Sequence, residues 1–296
     1  MYNTLFELRK EANERKKPIW TVVLENECAI SGLTEREVFD RLEKRYSVMH
    51  RSAFKALEGP LPAAGSLISG ICAAQNGYSK TGNSICGAFI NRVMALALSC
   101  SELNASMGKI CAAPTAGACG ILPAVLIGMQ ESLGLTREQT LRGLLTASGV
   151  GAVIMKNATV SGAEGGCQAE CGVAAAMAAA AAAEMAGGSP DMAVDACSFA
   201  LINAMGLICD PVAGLVQVPC AQRNASQAVN AMLSADLALA GNSCVIDPDE
   251  VVDAMYKVGK LLPMQLRETT LGGIAATLSA KRIRDGFPGN SGKTDD

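Results

Sequence analysis

From Cys171 to Ala186 the chain carries ten alanines in sixteen positions, and this run constrains everything that packs around it. Alanine has the highest intrinsic helix propensity and is depleted from strands, so the segment reads as a helix. Its side chains are small on every side, so neighbouring helices can approach its backbone closely. That marks a central buried helix rather than an amphipathic surface one. The wider composition agrees: half of the residues are hydrophobic but only 4% are aromatic. Ala, Leu, Val, Met and Ile carry the apolar volume, which suits close helix packing. The expected fold is all-α, a single compact helical domain with Ala-rich buried helices.

Several helix starts carry a stated mechanism. Thr34 with Glu37 forms a capping box ahead of Val38, Leu42 and Met49, and Thr136 with Gln139 repeats it ahead of Leu141, Leu144 and Leu145. Ser189-Pro190 and Asp247-Pro248 each place a cap before a proline at the first helical position. Gly187-Gly188 and Gly206 are stop signals. Only Ile19 to Leu24 reads as strand-like, and no hairpin signal pairs it. A boundary is expected near Gly59 to Gly65, where Pro60 and Pro62 interrupt the pattern.

The net charge of −3 and the scattered basic residues give a nucleic-acid backbone no stripe to follow. The run Val173 to Ala183 is too short for a bilayer. Met1 to Lys17 is polar and charged, unlike a secretory signal. A cytoplasmic protein that binds neither membrane nor nucleic acid is expected. Twelve cysteines in such a chain do not read as a disulfide framework. Most read as small buried hydrophobes.

Three cysteines stand in different surroundings. Cys167 follows Ser-Gly-Ala-Glu-Gly-Gly at the start of the alanine run, while Cys209-Asp-Pro-Val-Ala-Gly and Val-Pro-Cys220 flank a proline- and glycine-bearing turn. Pro211 and Pro219 restrict the backbone and Gly214 permits a reversal, so both thiols can be held toward one point. A cysteine at a helix N-terminus favours the thiolate that a metal requires. The spacing matches neither a ferredoxin motif nor paired zinc hooks. It leaves open whether these cysteines bind a metal or cluster or are structural.

Three segments narrow that choice: Ala112-Ala-Pro-Thr-Ala-Gly-Ala-Cys-Gly-Ile-Leu-Pro123, Lys156-Asn-Ala-Thr-Val-Ser-Gly-Ala-Glu-Gly-Gly-Cys-Gln168 and Cys209-Asp-Pro-Val-Ala-Gly-Leu-Val-Gln-Val-Pro-Cys-Ala-Gln-Arg-Asn224. They closely resemble the iron–sulfur-dependent L-serine dehydratase family, in the form of the separate α subunit of the two-chain enzyme. The resemblance implies an L-serine ammonia-lyase that forms pyruvate and ammonia with a [4Fe–4S] cluster. It maps the cluster's three ligands onto Cys167, Cys209 and Cys220 and leaves Cys171 as a packing residue. Residues 1–60 would then form an N-terminal helical segment packed on a cluster-binding catalytic domain at 61–285, with 286–296 a disordered tail.

Deamination requires loss of a weakly acidic α-proton and of hydroxide, a poor leaving group. A positioned base supplies roughly 10²–10⁴-fold, so an open iron acting as a Lewis acid would account for the rest. Thr115, in the small-residue loop 114–120, is expected near the substrate carboxylate. Ser161 and Glu164 lie in the loop before Cys167, where Glu164 could hold the substrate ammonium. Lys156 and Arg223 could pair with the carboxylate or with the cluster's negative charge, and Asn157 offers a hydrogen-bond donor. The chain's one histidine, His50, is expected at the surface, far from this site. The base is therefore expected on a β subunit, in a hetero-oligomer whose substrate is L-serine. A cluster-dependent L-cysteine desulfidase, a pyridoxal-phosphate dehydratase and a non-catalytic interaction protein with structural cysteines are the alternatives.

Overall fold

The alanine run forms the central helix of an all-α fold. The computed structural model describes residues 1–61 and 65–287. The expected boundary at 59–65 falls partly on residues 62–64, and the expected tail mostly on residues 288–296, both outside the described residues. The chain opens with α1 (Leu5–Glu14), α2 (Ile19–Ser31) and α3 (Glu35–Phe54), followed by α4 (Ile71–Ser79) and α5 (Gly87–Ala105). Next come α6 (Ile121–Leu133), α7 (Arg137–Asn157), the single turn α8 (Gly162–Gly165) and α9 (Val173–Met185). The last are α10 (Pro190–Ala204), α11 (Cys220–Leu239), α12 (Pro248–Leu261) and α13 (Leu278–Asp285). No strand occurs among the described residues, and the one isolated bridge joins Cys209 to Arg267.

Every residue from Val173 to Ala183 is buried, and α9 packs against α6, α7, α10 and α11. The minimal side chains permit this all-round packing: α9 contributes backbone and methyl groups, and its neighbours supply the larger side chains. The stretch Ala116–Leu133 has the length and composition of a membrane span, but 67% of it is buried inside the protein. Its apolar character serves the core. Both expected capping boxes are formed, at Thr34/Glu37 and Thr136/Gln139. Ser189 and Asp247 also cap the helices they precede.

Residues 19–24 are helical, which corrects the strand-like reading. Their β-branched residues favour a strand locally, but Ile19, Val22 and Val23 share one buried helical face. The start of α2 is capped from a distance. Glu184, just past the alanines, accepts the N–H of Ile19 at 2.6 Å and of Trp20 at 3.2 Å. A carboxylate at a helix N-terminus satisfies orphan donors and the helix dipole together. His50 is half-buried on α3, stacked on Phe54 with ring centroids 4.4 Å apart and edge-on to Tyr46 at 6.3 Å. Burial and the nearby Arg137 hold its pKa below the usual value.

Candidate functional site

Cys167 sits where the chain passes from α8 into the central helix. Gly166 makes the turn at φ +76°, and a Cβ there would lie 2.8 Å from the Leu207 carbonyl, so only glycine fits. Gln168–Gly172 then form one π-helical turn before α9, a local widening often found at functional sites. Gln168 is fully buried and secures this junction. Its amide donates to Gly165 O and Met255 O, and its Oε1 accepts the Gly206 N–H at 2.7 Å.

Cys209 enters on an extended segment. Its N–H donates to Leu266 O at 2.9 Å, and its carbonyl accepts from the Glu268 N–H at 2.8 Å. Cys220 is the first residue of α11, after the cis Val218–Pro219 bond. Asn224, one turn into that helix and 1% exposed, anchors the loop opposite. Its amide donates to Gly117 O (2.6 Å) and Cys220 O (2.8 Å), and its Oδ1 accepts from Gly120 N at 2.8 Å. The 114–120 loop, the Cys167 turn and both later cysteines are thereby drawn together.

The thiols sense one another. Burial pushes the Cys220 thiol up to about 12 and that of Cys209 higher still, and charge on Cys167 raises both further. For Cys220, burial outweighs the helix N-terminus. Cys167 behaves oppositely. It shares a hydrogen bond with Cys171, Sγ to Sγ 3.3 Å, which is the main reason its pKa falls below the ordinary thiol value, and Arg223 adds to the effect. Arg223 is held in place by an ion pair to the buried Asp210 at 2.7 Å and by donation to Ile208 O at 2.8 Å.

Thr115 and Arg223, both candidates from the sequence, reach this site: Thr115 donates to Glu170 Oε1 at 2.8 Å. Ser161 is half-buried and caps α8, its carbonyl accepting from Glu164 N and Gly165 N. Glu164 is exposed. Lys156 and Asn157 are exposed at the end of α7 and both engage Asn3, Asn157 donating to its carbonyl at 2.8 Å. Sequence reasoning missed Glu170, Asp210 and the pairing of Cys171. Glu170 had one signal: it is the only charged residue between Glu164 and Glu184. A lone charge entering an apolar helix has to face something specific.

Among the described residues, no three His, Cys, Asp or Glu side chains converge closely enough to hold a single metal ion. A cubane cluster receives each ligand sulfur at a different iron, so its ligands stand farther apart. Cys167 and Cys209 are buried and Cys220 is half-buried, and charge on Cys167 is felt at both of the others. In type and number they fit such a cluster, and its cationic irons would offset the cost of ionising buried thiols.

The serine dehydratase alpha chain family profile matches residues 14–275. The chain is 49% identical to an L-serine dehydratase alpha chain of Peptoniphilus asaccharolyticus, over 97% of this chain and 98% of that protein. It is 44% identical to a probable L-serine dehydratase alpha chain of Bacillus subtilis, over 96% of this chain and 94% of that protein. It is 37% identical to L-serine dehydratase 2 of Escherichia coli, where the match covers 94% of this chain but 62% of the longer relative. With a profile spanning most of its length and near full-length relatives of this identity, the chain belongs to the serine dehydratase alpha chain family.

Proposed function

We propose that this chain is the α subunit of an L-serine ammonia-lyase in which Cys167, Cys209 and Cys220 hold a [4Fe–4S] cluster. One observation carries the reading. Cys167, Cys209 and Cys220, separated by 42 and 11 positions, are near enough for charge on Cys167 to act on both of the others, with the Glu170 carboxylate 3.8 Å from Cys209 and the Arg223 guanidinium acting on Cys167. When bound, a cluster with three protein ligands supplies Lewis acidity at its remaining iron. The protein's own groups bind and orient. Arg223 offers positive charge near Cys167, and the 114–120 loop offers backbone N–H groups for a carboxylate. The overall change removes the α-proton and the β-hydroxyl of L-serine as water. The resulting enamine tautomerises and hydrolyses to pyruvate and ammonia.

A partner chain completes the reading. His50 stacks on Phe54 with Tyr46 edge-on, so a histidine base would come from elsewhere. The Escherichia coli relative extends well beyond the region matched here, as an enzyme carrying both portions in one chain would. Leu261, Met264, Leu271 and Leu278 are all more than half exposed along the segment that covers Cys209. They suit a β subunit docked at the rim of the site.

The test is anaerobic co-purification with the β subunit, iron and sulfide analysis, and pyruvate formation from L-serine. Iron, sulfide and pyruvate only in the assembled complex support the proposal. Faster turnover of L-cysteine would indicate a desulfidase. An iron-free complex that binds no substrate would indicate a structural role for the cysteines.

A further inference from the structure

Glu170 is a carboxylate in need of a cation. It lies half-buried in the π-helical turn, and none of the ion pairs among the described residues involves it. Arg223 is committed to Asp210 and Ile208 O, and the one charged group that acts on Glu170 through space is an acid, Glu268. Withdrawing a carboxylate from water without a counter-charge is costly, and such a group is a candidate to receive a charged ligand.

The carboxylate is also aimed. Thr115 donates to Oε1 at 2.8 Å, and the Cys209 thiol lies 3.8 Å from Oε2. Backbone presses on it from two sides. A Cβ on Gly117 would stand 3.3 Å from Oε1, and one on Gly162 would stand 2.6 Å from Oε2 and 3.2 Å from the Cys209 sulfur. The two small-residue loops, 114–120 and 161–166, therefore meet at this carboxylate, and the second also reaches Cys209. Glu164, on the second loop, is exposed instead.

We propose that Glu170 receives the amino group of the substrate and thereby makes the site specific for an α-amino acid over the corresponding acid without nitrogen. This rests on the dehydratase reading above. With the ammonium on Glu170, beside Cys209, the rest of the amino acid projects into the space shared by the three cysteines. Thr115 is then a positioning residue, fixing the carboxylate rotamer through Oε1.

The experiment compares two ligands that cannot eliminate, L-alanine and propanoate, by anaerobic calorimetry on the αβ complex with its iron and sulfide quantified. Glu170→Gln keeps the size of the side chain and an oxygen that can accept from Thr115, but removes the charge. The preference for L-alanine over propanoate should fall at least about tenfold, with propanoate binding unchanged and a matching rise in KM for L-serine. An unchanged preference overturns the assignment, as does the same loss appearing in Glu164→Gln instead. If Glu170→Gln does not load iron, Thr115→Val provides the second reading. A selective loss of L-alanine affinity supports the proposal, and an equal loss for both ligands overturns it. A wild-type complex that lacks iron or forms no pyruvate removes the dehydratase reading itself. A loaded, active wild type beside an unaffected Glu170→Gln removes only the present inference.

Discussion

The Cys167 and Cys171 sulfurs lie 3.3 Å apart, one turn apart on the entrance to the central helix. From sequence Cys171 reads as a packing residue, yet its hydrogen bond is the largest influence lowering the Cys167 pKa. Cys171→Ala should leave iron binding intact and cost about 1 kcal/mol, on the order of deleting one buried group. In the iron-free protein, the pH midpoint for alkylation of Cys167 should move upward, because the stabilising S–H is gone. A rate–pH profile for Cys167 in both proteins checks this, and an unmoved midpoint would contradict it.

Replacing a proposed cluster ligand should behave differently. Cys167→Ser, Cys209→Ser and Cys220→Ser should each retain far-ultraviolet helicity while losing most bound iron. Lewis-acid assistance is worth several kcal/mol, so pyruvate formation should fall by at least about 10³-fold. Iron and sulfide per αβ complex, measured beside circular dichroism, separate ligand loss from unfolding.

Asp210 links Arg223 to the C-terminal segment. It is 1% exposed, pairs with Arg223 at 2.7 Å and accepts the Ile274 N–H at 2.7 Å. Asp210→Ala leaves a half-buried guanidinium unpaired and a backbone donor unsatisfied, so a loss of about 3–5 kcal/mol is expected. Urea unfolding measures it. Proteolysis should also quicken between Pro263 and Leu278, because that segment loses its tie to the core.

Glu184 gives a pH prediction. Burial raises its pKa above the ordinary 4.5, outweighing the opposing hydrogen bonds from Thr146, Ile19 and Trp20. A carboxyl whose folded pKa exceeds its unfolded one contributes stability that is fully present below the unfolded pKa. That contribution is lost as pH rises through the folded pKa. Glu184→Gln should therefore flatten the decline in stability as pH rises from about 4.5. Glu184→Ala, which removes the cap altogether, should cost about 2 kcal/mol at any pH. Denaturation midpoints across that range distinguish the two variants.

Signals that act over a few residues were legible in advance. The capping boxes at Thr34 and Thr136, the Ser189 and Asp247 caps and the buried alanine helix all follow from local propensity and short-range hydrogen bonds. The spacing of Cys167, Cys209 and Cys220 alone left metal binding open, and it is the resemblance of their surrounding segments to a known family that singles them out. Ile19 to Leu24 misled because its β-branched residues favour a strand locally, while the cap that makes it helical is Glu184, 165 positions away.

By itself, then, the sequence determined an all-helical chain, its family and the cysteines to watch. Tertiary structure decided which polar groups face them: Glu170 and Thr115 meet across 55 positions, Arg223 is aimed by Asp210, and His50 is committed to an aromatic stack. Propensity and capping depend on near neighbours in the chain. Whether a buried carboxylate finds a cation depends on which distant side chains the packed core brings beside it.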